Sequence, residues 1–336
     1  MKYLTIIIPV YNVASYLNKC LDSVFQQDIP YEDYEVIIVN DGSTDNSAEI
    51  AIEYKRIYPN LKLINQKNMG LGGARNTGMV NASGKYLMFV DSDDYIEKNS
   101  LKFLIEKVEF EKLDILRFNH QEVDETYLPL KKSKNAIKAT DFDDKIVDGL
   151  TYLTKKMGWA CYVCVYLLRT DFLKQTACNF KNNIYFEDVH WLPGVLVQAE
   201  KVQSINILVY NYLRRSNSIT KGIGKEKQEK ILRDKLYMIK SLQDFSKITS
   251  DLRVTKWCDG LIALSIIGIM NLVNRKLLYK KLETVSSLKK LKIFPLMLHH
   301  KFTIQQKIKV FYLNFNCVFI RQSIRGILLK IFNLNL

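Results

Sequence analysis

Tyr86-Leu87-Met88-Phe89-Val90-Asp91-Ser92-Asp93-Asp94 is a run of five apolar residues that ends abruptly in three carboxylates and a serine. The run follows a Ser83-Gly84 breaker, is short, and is partly aromatic and β-branched. That composition predicts a buried strand of a parallel sheet. The acidic cluster then falls at the strand's carboxyl end, where open α/β sheets place their ligands. Asp91 and Asp93 are two positions apart, so an extended segment projects both to one side. Such a pair suits a hard divalent cation that keeps water and phosphate oxygens as its other ligands; the alternative is an acidic turn that ends the strand and caps the helix after it.

Working outward, the first 120 residues alternate strand and helix. Strands are expected over residues 4–10, 34–40, 61–65 and 85–90. Between them Leu17, Cys20, Leu21, Val24 and Phe25 recur at helical spacing over residues 14–27. A second helix follows the turn Asp41-Gly42-Ser43-Thr44-Asp45, with Thr44 or Asp45 as its cap. Gly70-Leu71-Gly72-Gly73 reads as a loop before a short helix over 74–81. This order implies right-handed crossovers and a mostly parallel sheet with helices on both faces. Residues 121–140 read as an exposed polar loop or hairpin, 142–157 as a weak helix, 162–168 as a strand, 186–198 as a helix and 202–212 as a strand pair or extended arm. From Lys225 the pattern is helical and basic, in segments 231–247, 252–281 and 288–336. The expected division is an α/β region over 1–220, with halves at 1–120 and 121–220, and a basic helical region over 221–336.

Three segments end at one rim of the expected sheet: Val10-Tyr11-Asn12, Asn40-Asp41-Gly42-Ser43 and the Asp91–Asp94 cluster. An aromatic ring, a lone carboxylate and a cation-binding pair fit a nucleoside diphosphate. Tyr11 can stack on a base, Asp41 can accept from a base N–H or ribose hydroxyl, and the cation can bridge two phosphates. The glycines before Arg75 let backbone approach a ligand, but they form neither a Walker loop nor Gly-x-Gly-x-x-Gly.

These segments, Thr5–Asn12, Asn40–Asp45, Asn68–Asn76 and Asp91–Asp94, together resemble family 2 glycosyltransferases of the GT-A fold, of the type that builds bacterial surface polysaccharide. Phe186-Glu187-Asp188 and Tyr210-x-Tyr212 leading to Arg215 extend the resemblance to Thr220. It implies a donor nucleotide site of Pro9, Tyr11, Asn12, Asp41, Gly70, Arg75, Asp91 and Ser92. Tyr11 would stack on uracil, and Asp41 and Arg75 would contact the base. Asp91 would hold the ribose or the metal, and Asp93 would ligate Mg²⁺ or Mn²⁺. Asp188 would be the general base of an inverting transfer from a UDP-sugar to a glycan or lipid-linked glycan. Glu187, His190 and Trp159 would support the acceptor.

The charge is uneven. Lys221–Leu336 carries 23 Lys and Arg against 7 Asp and Glu, a balance of +16, whereas residues 1–220 balance at −2. A basic region of this kind calls for a polyanion. No recognisable nucleic-acid motif accompanies the lysines, so an anionic membrane surface is the expected partner and nucleic acid is not. The most apolar stretch, Leu261–Val273, falls short of the roughly twenty residues of a spanning helix, and Phe311–Leu336 mixes apolar residues with Arg321, Arg325 and Lys330 as an interfacial helix does. The N-terminus enters a strand directly, and the six cysteines are scattered. They read as reduced core thiols of a cytoplasmic protein, peripheral on the inner face of the membrane. The rival readings are a nucleotidyltransferase, which usually carries a glycine- and lysine-rich N-terminal loop absent here, and a non-catalytic polyanion-binding module, against which the intact acidic motifs argue.

Overall fold

The computed structural model describes residues 2–130, 142–215, 224–291, 296 and 302–318. The chain forms two compact units, Met1–Ser216 and Asn217–Leu336.

In the first unit, β1 (Leu4–Val10), β2 (Tyr34–Asn40) and β3 (Leu61–Asn65) alternate with α1 (Ala14–Phe25) and α2 (Ser47–Ile57). Then come α3 (Gly70–Asn81), β4 (Tyr86–Phe89), β5 (Tyr95–Ile96), α4 (Leu101–Glu111) and β6 (Ile115–Val123). A short turn of helix, α5 (Gly149–Thr151), runs into a π-turn over Tyr152–Lys156. β7 (Tyr166–Arg169), α6 (Thr170–Thr176), α7 (Glu187–Leu196) and β8 (Val202–Leu213) complete the unit. The sheet order is β3-β2-β1-β4-β7-β6-β8-β5. The β3, β2, β1 and β4 strands are mutually parallel, as are β6 and β8; β7 runs antiparallel between β4 and β6, and β5 antiparallel to β8. Every residue of β1 and β4 is buried, as expected of strands covered on both faces. Pro9 sits in β1 beyond the last pairing with β4 at Ile7–Phe89, where its missing N–H costs no ladder bond on that side.

Several boundaries differ from the sequence reading, each for a physical reason. The Gly70-Leu71-Gly72-Gly73 stretch is the first turn of α3, not a loop. Its glycines serve packing: a Cβ on Gly72 would stand 2.5 Å from the Lys181 carbonyl oxygen. Neither Thr44 nor Asp45 is the N-cap of α2, which is Asn46. Asp45 instead accepts from Ser47 N (3.0 Å) and Ala14 N (3.0 Å), tying the starts of α1 and α2 together. The β6 strand runs to Val123 because its polar residues pair with β8, so the expected polar loop starts later; residues 131–141 of it lie outside the described residues. β8 is one strand of twelve residues. Cys20, Cys161, Cys164 and Cys258 are buried free thiols.

The second unit contains α8 (Lys225–Thr249), α9 (Leu252–Lys276), α10 (Lys281–Lys290) and α11 (Ile304–Val318). Ser250 turns the chain in the left-handed region at φ 51°, and Asp251 caps α9 by accepting from Arg253 N (2.7 Å). Ile231, Met238, Ile239 and Leu242 of α8 are buried, as are Trp257, Ile262, Ile266 and Val273 of α9. The apolar stretch is longer than the sequence reading allowed. Leu252–Asn274 has a mean hydropathy of 1.5 and is long and apolar enough to cross a membrane, yet 67% of that window is buried, as in a core helix. Residues 319–336 of the expected interfacial helix lie outside the described residues.

Candidate active site

The carboxyl ends of β1, β2 and β4 present their loops at one rim, and those loops are laced together. Asn12, at φ 51°, accepts from Thr44 N (2.8 Å), and its own N–H donates to Ser43 Oγ (3.2 Å). Tyr11 beside it is 49% exposed, a ring free to stack on a planar ligand. Asp41 is buried; its Oδ1 accepts from Gln66 Nε2 (2.7 Å) and Met69 N (2.8 Å), which fixes the approach to α3. Gly70 starts α3 at φ +74°.

The acidic segment is a turn and not an extended strand end: Asp94 N donates to Asp91 O at 2.9 Å. The same-side argument from strand alternation therefore does not apply, although Asp91 and Asp93 both keep exposed carboxylate surface, 24% and 21%. Ser92 is buried within the turn. Asp94 faces the interior, where its two oxygens accept from Tyr210 Oη (2.7 Å) and Leu213 N (2.7 Å). Burial, then the Asp93 and Asp91 charges, push its carboxyl well above the usual range. Tyr210 Oη also accepts from Asp91 N (3.1 Å), so one β8 side chain pins both ends of the turn.

Arg75, expected at the nucleotide base, lies instead at the centre of the site. It is 3% exposed, donating through one terminal nitrogen to Asp91 Oδ1 (2.7 Å) and through the other to Glu187 Oε1 (2.6 Å). Burial disfavours its charge, but the Asp91 and Glu187 carboxylates outweigh that and raise its pKa. Its guanidinium sits over the rings of Phe89 (5.7 Å) and Phe180 (5.4 Å). Phe180 stacks on Trp191 at 4.3 Å, and Asn76 holds the Phe180 backbone with bonds of 2.8 and 2.9 Å. Arginine suits this position because its planar fork reaches two carboxylates at once.

Glu187 and Asp188 form the first turn of α7, whose N-cap is Phe186 at φ 65°. A helix N-terminus favours negative charge, which helps hold two adjacent acids there. Burial raises the Glu187 carboxyl. Burial, then the Glu187 charge, push Asp188 up to about 7. His190 is exposed on the same helix, and Trp159 is half-buried in the connection between α5 and β7. A residue whose role the sequence reading left open, Arg215, pairs through Nε with Asp93 Oδ2 at 2.7 Å, its guanidinium over the Tyr16 ring. The signal for Tyr210 was the alternation Tyr210-x-Tyr212 in an apolar strand.

The donors Asp91 and Asp93 are hard oxygens with residual exposure, which fits a divalent cation.

Residues 5–166 match the family model described as glycosyl transferase family 2. Glycosyltransferase GlyA of Streptococcus pneumoniae is 34% identical over 229 residues, 65% of this chain and 31% of GlyA. The uncharacterized glycosyltransferase EpsJ of Bacillus subtilis is 34% identical over 220 residues, 64% of this chain and 62% of EpsJ. The chain thus spans less than two thirds of either relative. A crystal structure of Staphylococcus aureus TarS residues 1–349, in complex with UDP-GlcNAc, superposes with a TM-score of 0.66 at 21% identity, covering 87% of this chain and 81% of that one. Residues 5–166 thus resemble the family 2 glycosyltransferases, and the first unit has the GT-A fold.

Removing Arg75 leaves two carboxylates without their cation in a closed site, a change that typically costs about 3–5 kcal/mol. Arg75→Met is expected to lose stability in that range by urea denaturation; a loss below about 1 kcal/mol would show that the bridge is not structural.

Proposed function

We propose that this protein transfers a sugar, with inversion, from a UDP-sugar to a hydroxyl of a glycan or lipid-linked glycan in bacterial surface-polysaccharide synthesis. The observation that carries the reading is the Arg75 bridge. It joins the carboxylate turn after β4 to the first turn of α7, and so holds Asp188 at a fixed place relative to Asp91. The rim loops, the match to the family model and the UDP-GlcNAc complex of a protein of similar fold support a UDP-sugar donor. Tyr11, Asp41 and the Asp91–Ser92 turn hold the nucleotide, with Pro9, Asn12 and Gly70 shaping the loops around it.

In the transfer, the acceptor hydroxyl loses its proton to Asp188 while its oxygen attacks the anomeric carbon on the face opposite the diphosphate. The bond from that carbon to the diphosphate breaks, and its electron pair leaves with UDP. An α-linked donor gives a β-linked product. A base poised near the working pH is the efficient choice, and about 7 meets that need. Bound by Asp93 and Asp91, Mg²⁺ or Mn²⁺ supplies the charge that the leaving diphosphate requires. Arg215, already against Asp93, adds a second positive group at that turn. Glu187 is committed to Arg75 and supports the site without acting as the base.

The second unit carries the basic excess and exposes Ile248 (82%), Leu252 (67%) and Ile304 (77%). This combination supports peripheral docking on an anionic membrane, the inner face of the cytoplasmic membrane, rather than binding of nucleic acid.

Asp188→Asn keeps the shape and removes the base. It is expected to cut transfer by roughly two to four powers of ten while leaving UDP binding nearly intact. In the wild type, kcat/KM should rise with pH through about 7 as Asp188 loses its proton, and the variant should lose that limb. Near wild-type turnover by Asp188→Asn would move the base elsewhere. Asp93→Ala should abolish UDP release, and EDTA should weaken donor binding; donor binding as tight in EDTA as in manganese would contradict the cation assignment. Flotation with liposomes should recover the protein on anionic but not neutral vesicles, and less at high salt. Indifference to both lipid charge and salt would overturn membrane docking.

A further inference from the structure

Both carboxylates that would hold the cation already face an arginine, and the two arginines differ in kind. Arg75, against Asp91, is 3% exposed. A second carboxylate, Glu187, and the rings of Phe89 and Phe180 hold it as well. Its departure would strand two acids. Arg215, against Asp93 Oδ2 at 2.7 Å, keeps 15% of its side chain exposed. Its guanidinium lies 5.2 Å from the centre of the Tyr16 ring, a half-buried side chain of α1. Arg75 is built in, whereas Arg215 stands at the edge of the turn.

The backbone that carries Arg215 is tied down, and its side chain is long. Leu213 N donates to Asp94 Oδ1 (2.7 Å), Arg214 N to Val123 O (2.8 Å) and Arg215 N to Leu213 O (3.2 Å). From that fixed base the guanidinium can turn from Asp93 to another anion at the same turn while staying near the Tyr16 ring. Charge decides what that anion is. While Arg215 answers Asp93, a lone divalent cation gains little there, because it competes with a guanidinium in contact and is repelled by it. A nucleoside diphosphate arriving with the cation changes the balance. Its phosphate oxygens accept from the guanidinium in the bidentate form that arginine favours, and Asp93 is released to the cation.

We infer that Arg215 is the resident counter-ion of Asp93, exchanged for the divalent cation only when the donor's diphosphate is present to receive it. Cation and donor then bind synergistically through this one side chain. The inference rests on the glycosyltransferase reading above, which supplies the nucleotide and the cation. It makes Arg215 a positioning residue for loading the donor and leaves the attack of the acceptor to Asp188.

The test reads binding and not turnover. Mn²⁺ alone is titrated by electron paramagnetic resonance of the free ion, and UDP is titrated by calorimetry in saturating Mn²⁺ and in EDTA. Wild type should bind Mn²⁺ weakly alone and bind UDP about tenfold or more tightly in Mn²⁺ than in EDTA. Arg215→Gln should bind Mn²⁺ alone about tenfold more tightly than wild type, a gain that a misfolded protein cannot show. Its UDP affinity in Mn²⁺ should fall about tenfold, and in EDTA, where Arg215 stays on Asp93, by no more than about threefold. Arg215→Lys, which keeps the charge, should leave Mn²⁺ binding near the wild-type value. The inference is overturned if wild type shows no synergy between Mn²⁺ and UDP. It is equally overturned if Arg215→Gln binds Mn²⁺ no more tightly than wild type, or if Mn²⁺ tightens UDP as much in that variant as in wild type. Absence of any UDP binding by wild type would sink the transferase reading. The Mn²⁺ gain in Arg215→Gln needs no nucleotide, so it separates that failure from failure of the counter-ion role.

Discussion

One buried guanidinium sets the spacing of this site. Arg75 lies on a helix packed under the sheet's ligand rim and reaches the turn after β4 with one nitrogen and the start of α7 with the other. Burying an ion costs several kcal/mol, and only close, complementary charges with good geometry offset that cost. The surroundings supply them: two carboxylates at 2.6–2.7 Å, two aromatic rings against the guanidinium, and the stacked Phe180–Trp191 pair that closes the space around it. Pairing inside the core fixes positions, because every alternative arrangement strands a charge.

The glycines of α3 belong to the same constraint. Close approach of its first turn to the Lys181 carbonyl brings the segment after α6 against Arg75, and Asn76 and Met69 bond that segment's backbone. On the far side, Tyr210 and Leu213 of β8 hold Asp94, so the turn that carries Asp91 and Asp93 is anchored from two directions. The carboxylate turn after β4 and the Glu187–Asp188 end of α7, more than ninety residues apart in sequence, are thereby held together without reliance on either loop's own rigidity. Preorganised charge of this kind is what group transfer needs, since it lowers the reorganisation required as charge develops.

Much of this was legible in the residues. Local signals revealed the four alternating strands and the rim of the sheet, because apolar runs ending in Asn-Asp-Gly or Asp-Ser-Asp-Asp are set by burial followed by turn chemistry. The role of Arg75 was not legible. Its partner Glu187 lies 112 positions away, and nothing in the local pattern distinguishes a guanidinium that meets a base from one that meets a buried acid. Whether Asp91–Asp94 is extended or a turn was not legible, because Asp94 gains its partners from β8, a long-range pairing. The helix from Leu252 was legible in its periodicity, whereas its most apolar stretch alone understated the apolar length, which runs over Leu252–Asn274.

The central claim is that Asp91 and Glu187 act as a coupled pair through Arg75. A double-mutant cycle on Asp91→Asn and Glu187→Gln, with unfolding free energies from urea titration, measures that coupling directly. The account predicts that the second substitution costs more once the first is made, because it leaves the Arg75 guanidinium buried without a carboxylate, with an interaction energy of about 1 kcal/mol or more. Effects that add to within about 0.3 kcal/mol would show two independent contacts and contradict it.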